Sequence, residues 1–214
     1  MKLHKNHHTG NIVSDEKGRI MKIIASYLNE IQVIQLDRHD DSRGYFMEIY
    51  NANSFHAMGI DAVFVQDNCS FSMKRGTIRG FHFQKPPYAQ AKLIRCTEGS
   101  FFDIAIDVRK GSPTYGKASC VLLKKEDDKL VYIPRGFAHG VAIVEDNSAY
   151  NYKVDNVYNG LPQNNGGLSY NYDKNELDWN QLLPDTELIL SERDIHGVSA
   201  TLDELNSGFV YQKG

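Results

Sequence analysis

The chain has 214 residues, of which 41% are hydrophobic and 24% are charged, a balance typical of a globular domain. Its formal net charge is −3 and no block of lysine and arginine occurs, which argues against nucleic acid as a partner. The three cysteines, Cys69, Cys96 and Cys120, are too irregularly spaced for a zinc site, and their odd number argues against a disulfide framework. No apolar run is long enough to span a membrane and no export signal is recognisable, so we expect a cytoplasmic protein without a membrane partner.

The first 20 residues are polar and include His4, His7 and His8. This composition is typical of a disordered N-terminal extension, and a metal-binding histidine tract is the weaker interpretation. From residue 21 onward the chain shows neither internal repeats nor a sign of a second domain. We therefore predict one domain over residues 21–214, which ends in a C-terminal tail.

Short segments rich in β-branched and aromatic residues follow one another from residue 31, separated by turns rich in Gly, Pro, Asn and Asp. The predicted strands are 31–36, 45–50, 63–71, 77–83, 91–96, 101–108, 118–123, 130–133, 140–144 and 149–154. Helix is scarce: 54–58, with Ser54 as its cap, and 201–205 are the candidates, and 159–167 is a predicted loop. Many short strands at regular spacing predict an all-β sandwich or barrel.

The segment 101–108 alternates with a period of two residues, as a strand does. One face is apolar, and the other combines apolar side chains with two aspartates: Phe101, Asp103, Ala105 and Asp107. One apolar and one mixed face are what the wall of a barrel with a polar side requires.

His82 is flanked by Phe81 and Phe83, so that on a strand the imidazole and the two rings point to opposite faces. Arg79 precedes it closely and Lys92 follows across a Pro-Pro turn. Nearby cations disfavour the charged form of a histidine, which leaves it neutral and able to accept a proton. A core histidine that only satisfies a hydrogen bond is the alternative interpretation.

His139 ends a Pro-x-Gly-x-x-His pattern within residues 133–140, which resembles the second motif of the cupin superfamily of small β-barrels. In metal-binding cupins the first motif is His-x-His followed by a glutamate. The corresponding stretch here is His82-Phe83-Gln84, without the second histidine or the glutamate. Because a metal site needs three or four converging ligands, we predict no metal.

Seven motifs follow one another along the chain, at residues 41–48, 64–70, 79–84, 90–95, 107–116, 133–140 and 150–158. Together they resemble the dTDP-4-dehydrorhamnose 3,5-epimerase family, and weaker similarity continues through 177–179 to 190–194. The resemblance implies a cupin-type jelly-roll β-barrel with short peripheral helices, usually a homodimer. It also implies a cofactor-free isomerase acting on a 4-keto-6-deoxyhexose that is linked to dTDP.

The resemblance assigns four catalytic positions. His82 is the base that removes a proton next to the C4 ketone, and Asp194 orients its ring. Lys92 holds the oxyanion that forms at C4, and Tyr152 is the acid that returns a proton from the opposite face. From residue type alone, a surface role for Asp194 and Lys92 and a packing role for Tyr152 are the alternatives.

Eight further side chains are implied to bind the nucleotide sugar: Arg43, Glu48, Gln66, Asn68, Arg79, His139, Tyr158 and Asn165. The arginines suit the diphosphate or the sugar. The amides of residues 66 and 68 could pair with the thymine edge, and the tyrosine ring would stack on the base. Residue 48 is expected to act across a dimer interface, and residue 139 near Lys92. The family commonly has a glutamate in the loop after residue 158, where this chain offers only Asn165 or Gln163.

The leading hypothesis is the 3,5-epimerase, which inverts both carbons beside the ketone. An epimerase that acts on another nucleotide-linked 4-keto sugar, or that inverts one carbon, is the near alternative. A metal-dependent cupin oxygenase built on His82 and His139 and a sugar-binding barrel without catalysis are more distant ones.

Overall fold

The structure of the protein is a computed structural model that describes residues 5–6, 12–14, 20–173 and 175–212. Of the predicted N-terminal extension, it describes β1 (Lys5–Asn6), β2 (Ile12–Ser14) and the first residue of β3 (Ile20–Tyr27), with which both short strands pair. The rest of the extension lies outside the described residues, and its disorder stays a prediction. None of the helices in the described part of the chain is long and apolar enough to cross a membrane.

Two antiparallel sheets form the body of the molecule. The strands that follow β3 are β4 (Ile31–Gln35), β5 (Arg38–Asp41), β6 (Gly44–Met47), β7 (Gln66–Ser72), β8 (Ile78–Gln84), β9 (Lys92–Glu98), β10 (Ser100–Asp107), β11 (Ala118–Lys124), β12 (Lys129–Ile133), β13 (Phe137–Ile143), β14 (Ser148–Val154) and β15 (Asn165–Gly167). The large sheet has the order β1-β3-β4-β12-β9-β14-β7, with β2 beside β3, and the small sheet has the order β11-β10-β13-β8-β15. Strands β5 and β6 form a separate hairpin.

The main core lies between the two sheets. Ile94 and Val131 of the large sheet pack there with Phe101, Ala105 and Val141 of the small sheet. The mixed face predicted for 101–108 is therefore the one that faces the barrel interior. Its aspartates are buried as well, which requires partners for both carboxylates.

The C-terminal segment covers the outer face of the small sheet. Ile104 and Ile106, from the other face of β10, pack against Leu168, Leu182 and Leu205. The segment that was predicted to be a tail is therefore a layer of the fold. Full burial of one leucine stabilises a folded protein by about 1.5–3 kcal/mol. A third cluster, around Phe55, covers the outer face of the large sheet.

The prediction of an all-β fold is confirmed, and each predicted strand overlaps an observed one. The helix predicted at 54–58 is α1 (Ala52–Ala57), and its cap is Asn51, whose side chain accepts two backbone N–H bonds, rather than Ser54. The helix predicted at 201–205 is wrong, because these residues form turns in which Leu205 N–H bonds Leu202 O. The Asn-Ser-Gly that follows does not continue a helix, and Leu205 packs onto the small sheet instead.

Candidate active site

A pocket of about 360 Å³ opens between the two sheets and contains most of the predicted site residues. Those that line it are His82, Lys92, Tyr152, Gln66, Asn68, Arg79, His139, Tyr158 and Asn165. His82 and His139 come from the small sheet, whereas Lys92 and Tyr152 come from the large sheet. Side chains from two facing sheets can therefore act on the two sides of one ligand.

A close approach of two backbones sets the position of His82. Strands β8 and β13 pair so that His82 lies directly opposite His139. Beside this pair, a Cβ on Gly80 would lie 2.5 Å from the Cα of Gly140, and Gly80 has a φ of +136°. Only glycine fits that conformation and that distance without displacing the neighbouring strand.

His82 and Asp194 form a hydrogen-bonded pair. His82 Nε2 lies 2.5 Å from Asp194 Oδ1, and the aspartate side chain is 5% exposed whereas the imidazole is 31% exposed. Since a carboxylate only accepts, Nε2 carries the proton and Nδ1 keeps its lone pair. This arrangement of a histidine and an orienting aspartate prepares a base.

The cap of a short helix holds Asp194 in place. Ser191 precedes α3 (Glu192–His196), the helix that follows α2 (Trp179–Leu182). Its Oγ accepts from the N–H of Asp194 and donates to Oδ2 at 2.9 Å. Burial raises the pKa of Asp194, but the hydrogen bond and charge of His82, the Ser191 hydroxyl and Arg193 together bring that pKa below its usual value. Asp194 is therefore ionised at neutral pH and can stabilise an imidazolium.

A second aspartate–histidine pair lies deeper and ends on Lys92. His139 Nε2 lies 2.9 Å from Asp103 Oδ2, and Lys92 Nζ lies 3.3 Å from His139 Nδ1. Because the ammonium only donates, His139 is neutral with its proton on Nε2. The three side chains therefore form a line that fixes the direction of the lysine.

The electrostatics of this line follow from burial. Burial lowers the pKa of Lys92 to about 8, although the charge of Asp103 acts to raise it. Burial, together with the charge of Lys92, also lowers the pKa of His139 against the opposing effect of Asp103. A desolvated lysine of this kind is poised to interact strongly with an oxyanion.

Tyr152 contributes a phenol from β14. Its ring centroid lies 6.0 Å from that of Tyr150, which in turn packs against Phe101. Burial is the larger cause that raises the pKa of Tyr152, and the neighbouring phenol of Tyr158 is the smaller one. The hydroxyl thus stays protonated at neutral pH and can donate.

Five of the predicted binding residues take part in hydrogen bonds around the pocket. Gln66 Nε2 donates to Asn68 Oδ1 at 2.8 Å, and Gln66 Oε1 accepts from the N–H of Tyr158 at 3.0 Å. Asn165 lies on β15 and accepts from Gln84. Arg79 donates to Ser72 Oγ and to the backbone oxygen of Phe71, next to the pocket.

Arg43 and Glu48 lie away from this pocket. Arg43 occupies the turn of the β5–β6 hairpin, has a side chain that is 88% exposed and pairs with Asp41. Glu48 follows the end of β6. The chain by itself does not bring either residue to the site, and their roles in binding stay predictions.

Several pocket residues escaped the prediction from sequence: Gln84, Gln90, Tyr150 and Arg193 line the pocket, and Asp103 and Ser191 support it from behind. Two of them carried a signal. Asp103 lies on the mixed face of a strand, where a buried carboxylate requires a partner, and Arg193 directly precedes Asp194. The others lie within the family motifs or the weaker similarity at 190–194, but their residue types alone do not separate them from surface or packing residues.

Among the described residues, no group of three or more His, Cys, Asp and Glu side chains is arranged to hold a metal ion. Both histidines direct Nε2 at an aspartate, and His139 Nδ1 faces an ammonium. A divalent cation at that nitrogen would be repelled by Lys92, so these residues do not fit the ligand set of a metal-binding cupin.

The chain matches known proteins over most of its length. Residues 25–201 match the model of the dTDP-4-dehydrorhamnose 3,5-epimerase family. The chain is 39% identical to the Escherichia coli dTDP-4-dehydrorhamnose 3,5-epimerase over 186 residues, which cover 86% of this chain and 96% of that protein.

Solved structures of similar fold confirm the cupin-type jelly-roll barrel with short helices, and two of them illustrate it. One is the Legionella pneumophila dTDP-6-deoxy-D-glucose-3,5-epimerase in complex with dTDP-4-keto-L-rhamnose, with a TM-score of 0.81, 32% identity and coverage of 90% of this chain and 100% of that chain. The other is a 3'-monoepimerase from Streptomyces bikiniensis in complex with dTDP-quinovose, with a TM-score of 0.72, 29% identity and coverage of 81% and 84%. The predicted resemblance is confirmed: the chain belongs to the dTDP-4-dehydrorhamnose 3,5-epimerase family.

Proposed function

We propose that this chain converts dTDP-4-dehydro-6-deoxy-D-glucose into dTDP-4-dehydro-L-rhamnose by inverting C3 and C5. The observation that carries the proposal is one pocket in which an aspartate-supported histidine and a protonated tyrosine come from opposite sheets. The Lys92 ammonium lines the same pocket. Base, acid and oxyanion partner are the three parts that epimerisation beside a ketone needs.

Proton removal begins the reaction. The C4 ketone acidifies the hydrogens on C3 and C5, and His82 Nδ1, which holds a free lone pair, takes one of them. The C–H electron pair moves into an enolate whose oxygen at C4 is stabilised by Lys92. Asp194 stabilises the imidazolium that results. The ketone itself delocalises the charge, so the reaction needs no cofactor.

Tyr152 completes the inversion. Its hydroxyl donates a proton to the carbon from the face opposite His82, and the C4 carbonyl re-forms. The imidazolium then loses its proton and the phenolate regains one through water at the open pocket. Because C3 and C5 both adjoin C4, the same residues act on each carbon in turn.

Binding of the nucleotide rests on the rest of the pocket. Arg79 and the exposed Arg193 suit the diphosphate, since guanidinium groups fork onto phosphate oxygens. The Tyr158 ring suits stacking on the base. The side-chain amides of Gln66 and Asn68 have further N–H donors and oxygen lone pairs that can pair with the edge of the base. Asn165 replaces the family's usual glutamate with an uncharged side chain.

Inversion of a single carbon is the second candidate, favoured by the likeness to the monoepimerase and by Asn165. The experiment that separates the two is NMR of dTDP-4-keto-6-deoxyglucose with the protein in heavy water. We expect deuterium at both C3 and C5, with an L-configured product once a reductase traps it. Deuterium at one carbon would replace the proposal with single inversion, and none above the uncatalysed rate would overturn epimerase activity on this substrate.

We also infer that the protein is a cytoplasmic homodimer. The β5–β6 hairpin exposes Tyr45 and Phe46, and neither of its strands joins the two main sheets. An exposed aromatic hairpin is typical of a surface that a second subunit covers, and it would bring Arg43 and Glu48 towards a neighbouring pocket. Sedimentation equilibrium tests the homodimer, and a monomer at micromolar concentration would contradict the homodimer.

A further inference from the structure

Gln84 is a buried glutamine of β8 whose side chain holds a backbone peptide beside the pocket. It follows His82 by two residues and therefore points to the same face of the strand. Its Oε1 accepts from the N–H of Asn159 at 2.7 Å, and its Nε2 donates to the carbonyl oxygen of Asn159 at 2.9 Å. The side chain is bonded to both polar groups of one residue, as a neighbouring strand would be.

The same amide group also binds the loop that returns to the sheet. Gln84 Nε2 donates to Asn165 Oδ1 at 2.9 Å, and Asn165 Nδ2 donates to the carbonyl oxygen of Leu161 at 2.8 Å. Within the loop, Asn159 Oδ1 accepts from the N–H of Leu161 and from Asn164 Nδ2. We call Gln84, Asn159 and Asn165 the amide clamp.

The amide clamp continues directly from Tyr158. The N–H of Tyr158 donates to Gln66 Oε1 of the large sheet, whereas the next residue is held by Gln84 of the small sheet. Two glutamines from facing sheets thus hold the Tyr158–Asn159 segment at the mouth of the barrel. The Tyr158 residue is 48% exposed, so its backbone anchors determine where the ring lies more than side-chain packing does.

We propose that Gln84 is a positioning residue for nucleotide binding, which acts through Asn159 on the Tyr158 ring. The inference rests on the proposed function, in which that ring stacks on the base. Gln84 does not support His82, whose partner is Asp194. Loss of the amide clamp should therefore weaken binding of the nucleotide and leave the chemical step largely intact.

The test compares Gln84→Ala with Gln35→Ala. Gln35 is a matched control, because its Nε2 likewise holds backbone oxygens, those of Asp127 and Asp128, which do not line the pocket. We expect Gln84→Ala to raise the Kd for dTDP and the KM for the nucleotide sugar about tenfold, with kcat at saturation within about threefold of wild type. Gln35→Ala should change neither Kd nor KM.

A double-mutant cycle with Asn165→Ala tests whether the clamp acts as a unit. Both single variants should raise the Kd for dTDP, and the double variant should raise it by clearly less than the product of the two increases. Amide hydrogen exchange gives a readout independent of ligand: in Gln84→Ala the N–H of Asn159 should lose protection while that of Tyr158, held by Gln66, keeps it. The melting temperature of each variant identifies one that does not fold.

A fall in kcat with unchanged KM, additive effects in the cycle, or full protection of the Asn159 amide in Gln84→Ala would each overturn the proposal. Failure of the proposed function looks different, because wild-type protein would then neither bind dTDP nor exchange substrate protons. The amide exchange measurement still reports on the clamp in that case.

Discussion

The two histidines of the pocket differ in what faces their second nitrogen, although they share much else. They lie opposite each other on β8 and β13, and each directs Nε2 at an aspartate, Asp194 for His82 and Asp103 for His139. His82 Nδ1 lines the open pocket with a side chain that is 31% exposed. His139 is 7% exposed, and its Nδ1 accepts from Lys92.

This difference assigns two tasks to one chemical group. A free lone pair at an open pocket can remove a proton, whereas a lone pair already bonded to an ammonium can only orient it. An aspartate partner therefore does not by itself identify a catalytic base. The burial of the imidazole and the partner of the other nitrogen decide it.

Removal of the His82 imidazole should have the largest effect on activity. We expect His82→Ala to lower kcat about 10⁴-fold, because general-base catalysis and its alignment are lost together, while the Kd for dTDP changes little. His196→Ala is the control, since His196 lies on α3 with a side chain that is 73% exposed. Steady-state rates and calorimetric binding measure both, and full activity of His82→Ala would refute the mechanism.

Removing the acid on the facing sheet should separate proton removal from inversion. In Tyr152→Phe we expect about 10³-fold less epimerised product, since the proton donor is lost, while His82 still exchanges substrate protons with heavy water. NMR of the recovered substrate distinguishes deuterium gained with retention from inversion. An unchanged product yield would remove Tyr152 as the acid.

Removal of the negative charge of Asp194, which lies behind His82, should lower activity by less than the loss of the base or the acid. Asp194→Asn keeps an oxygen that can accept from His82 Nε2–H but removes the charge that stabilises the imidazolium, so we expect about a 10²-fold lower kcat. Glu192→Gln, on the same short helix, has a highly exposed side chain and serves as the control. Equal rates for both variants would show that Asp194 does not support the base.

Neutralisation of Asp103, the partner of His139, should lower activity by a smaller factor that depends on pH. The charged form of Lys92 binds the oxyanion, so kcat/KM should fall as pH rises through about 8, the pKa of this lysine. The charge of Asp103 raises that pKa, so Asp103→Asn should lower it and move the fall in kcat/KM to lower pH. We expect kcat/KM of Asp103→Asn to be about tenfold lower than that of wild type at pH 8, with a smaller difference at pH 6.5. A fall in kcat/KM at the same pH in wild type and in Asp103→Asn would contradict the effect of Asp103 on Lys92.

The strands and the family could be predicted from the sequence alone. Alternation and turn residues are local signals, so strands such as 101–108 could be located from a few neighbouring side chains. The seven motifs also contain most of the pocket residues, including His82, Lys92 and Tyr152. Helices were predicted less well: α1 begins two residues before the predicted start at residue 54, and residues 201–205 form turns instead of the predicted helix.

Which residues become partners depends on how the whole chain folds. His82 and Asp194 are separated by 112 positions, and no local pattern encodes such a contact. The register of β8 on β13 places the two histidines side by side, and the amide clamp depends on where the loop after Tyr158 returns to the small sheet. Strand register and long-range hydrogen bonds arise from packing the whole chain, so the tasks of the two histidines became distinguishable only in the folded molecule.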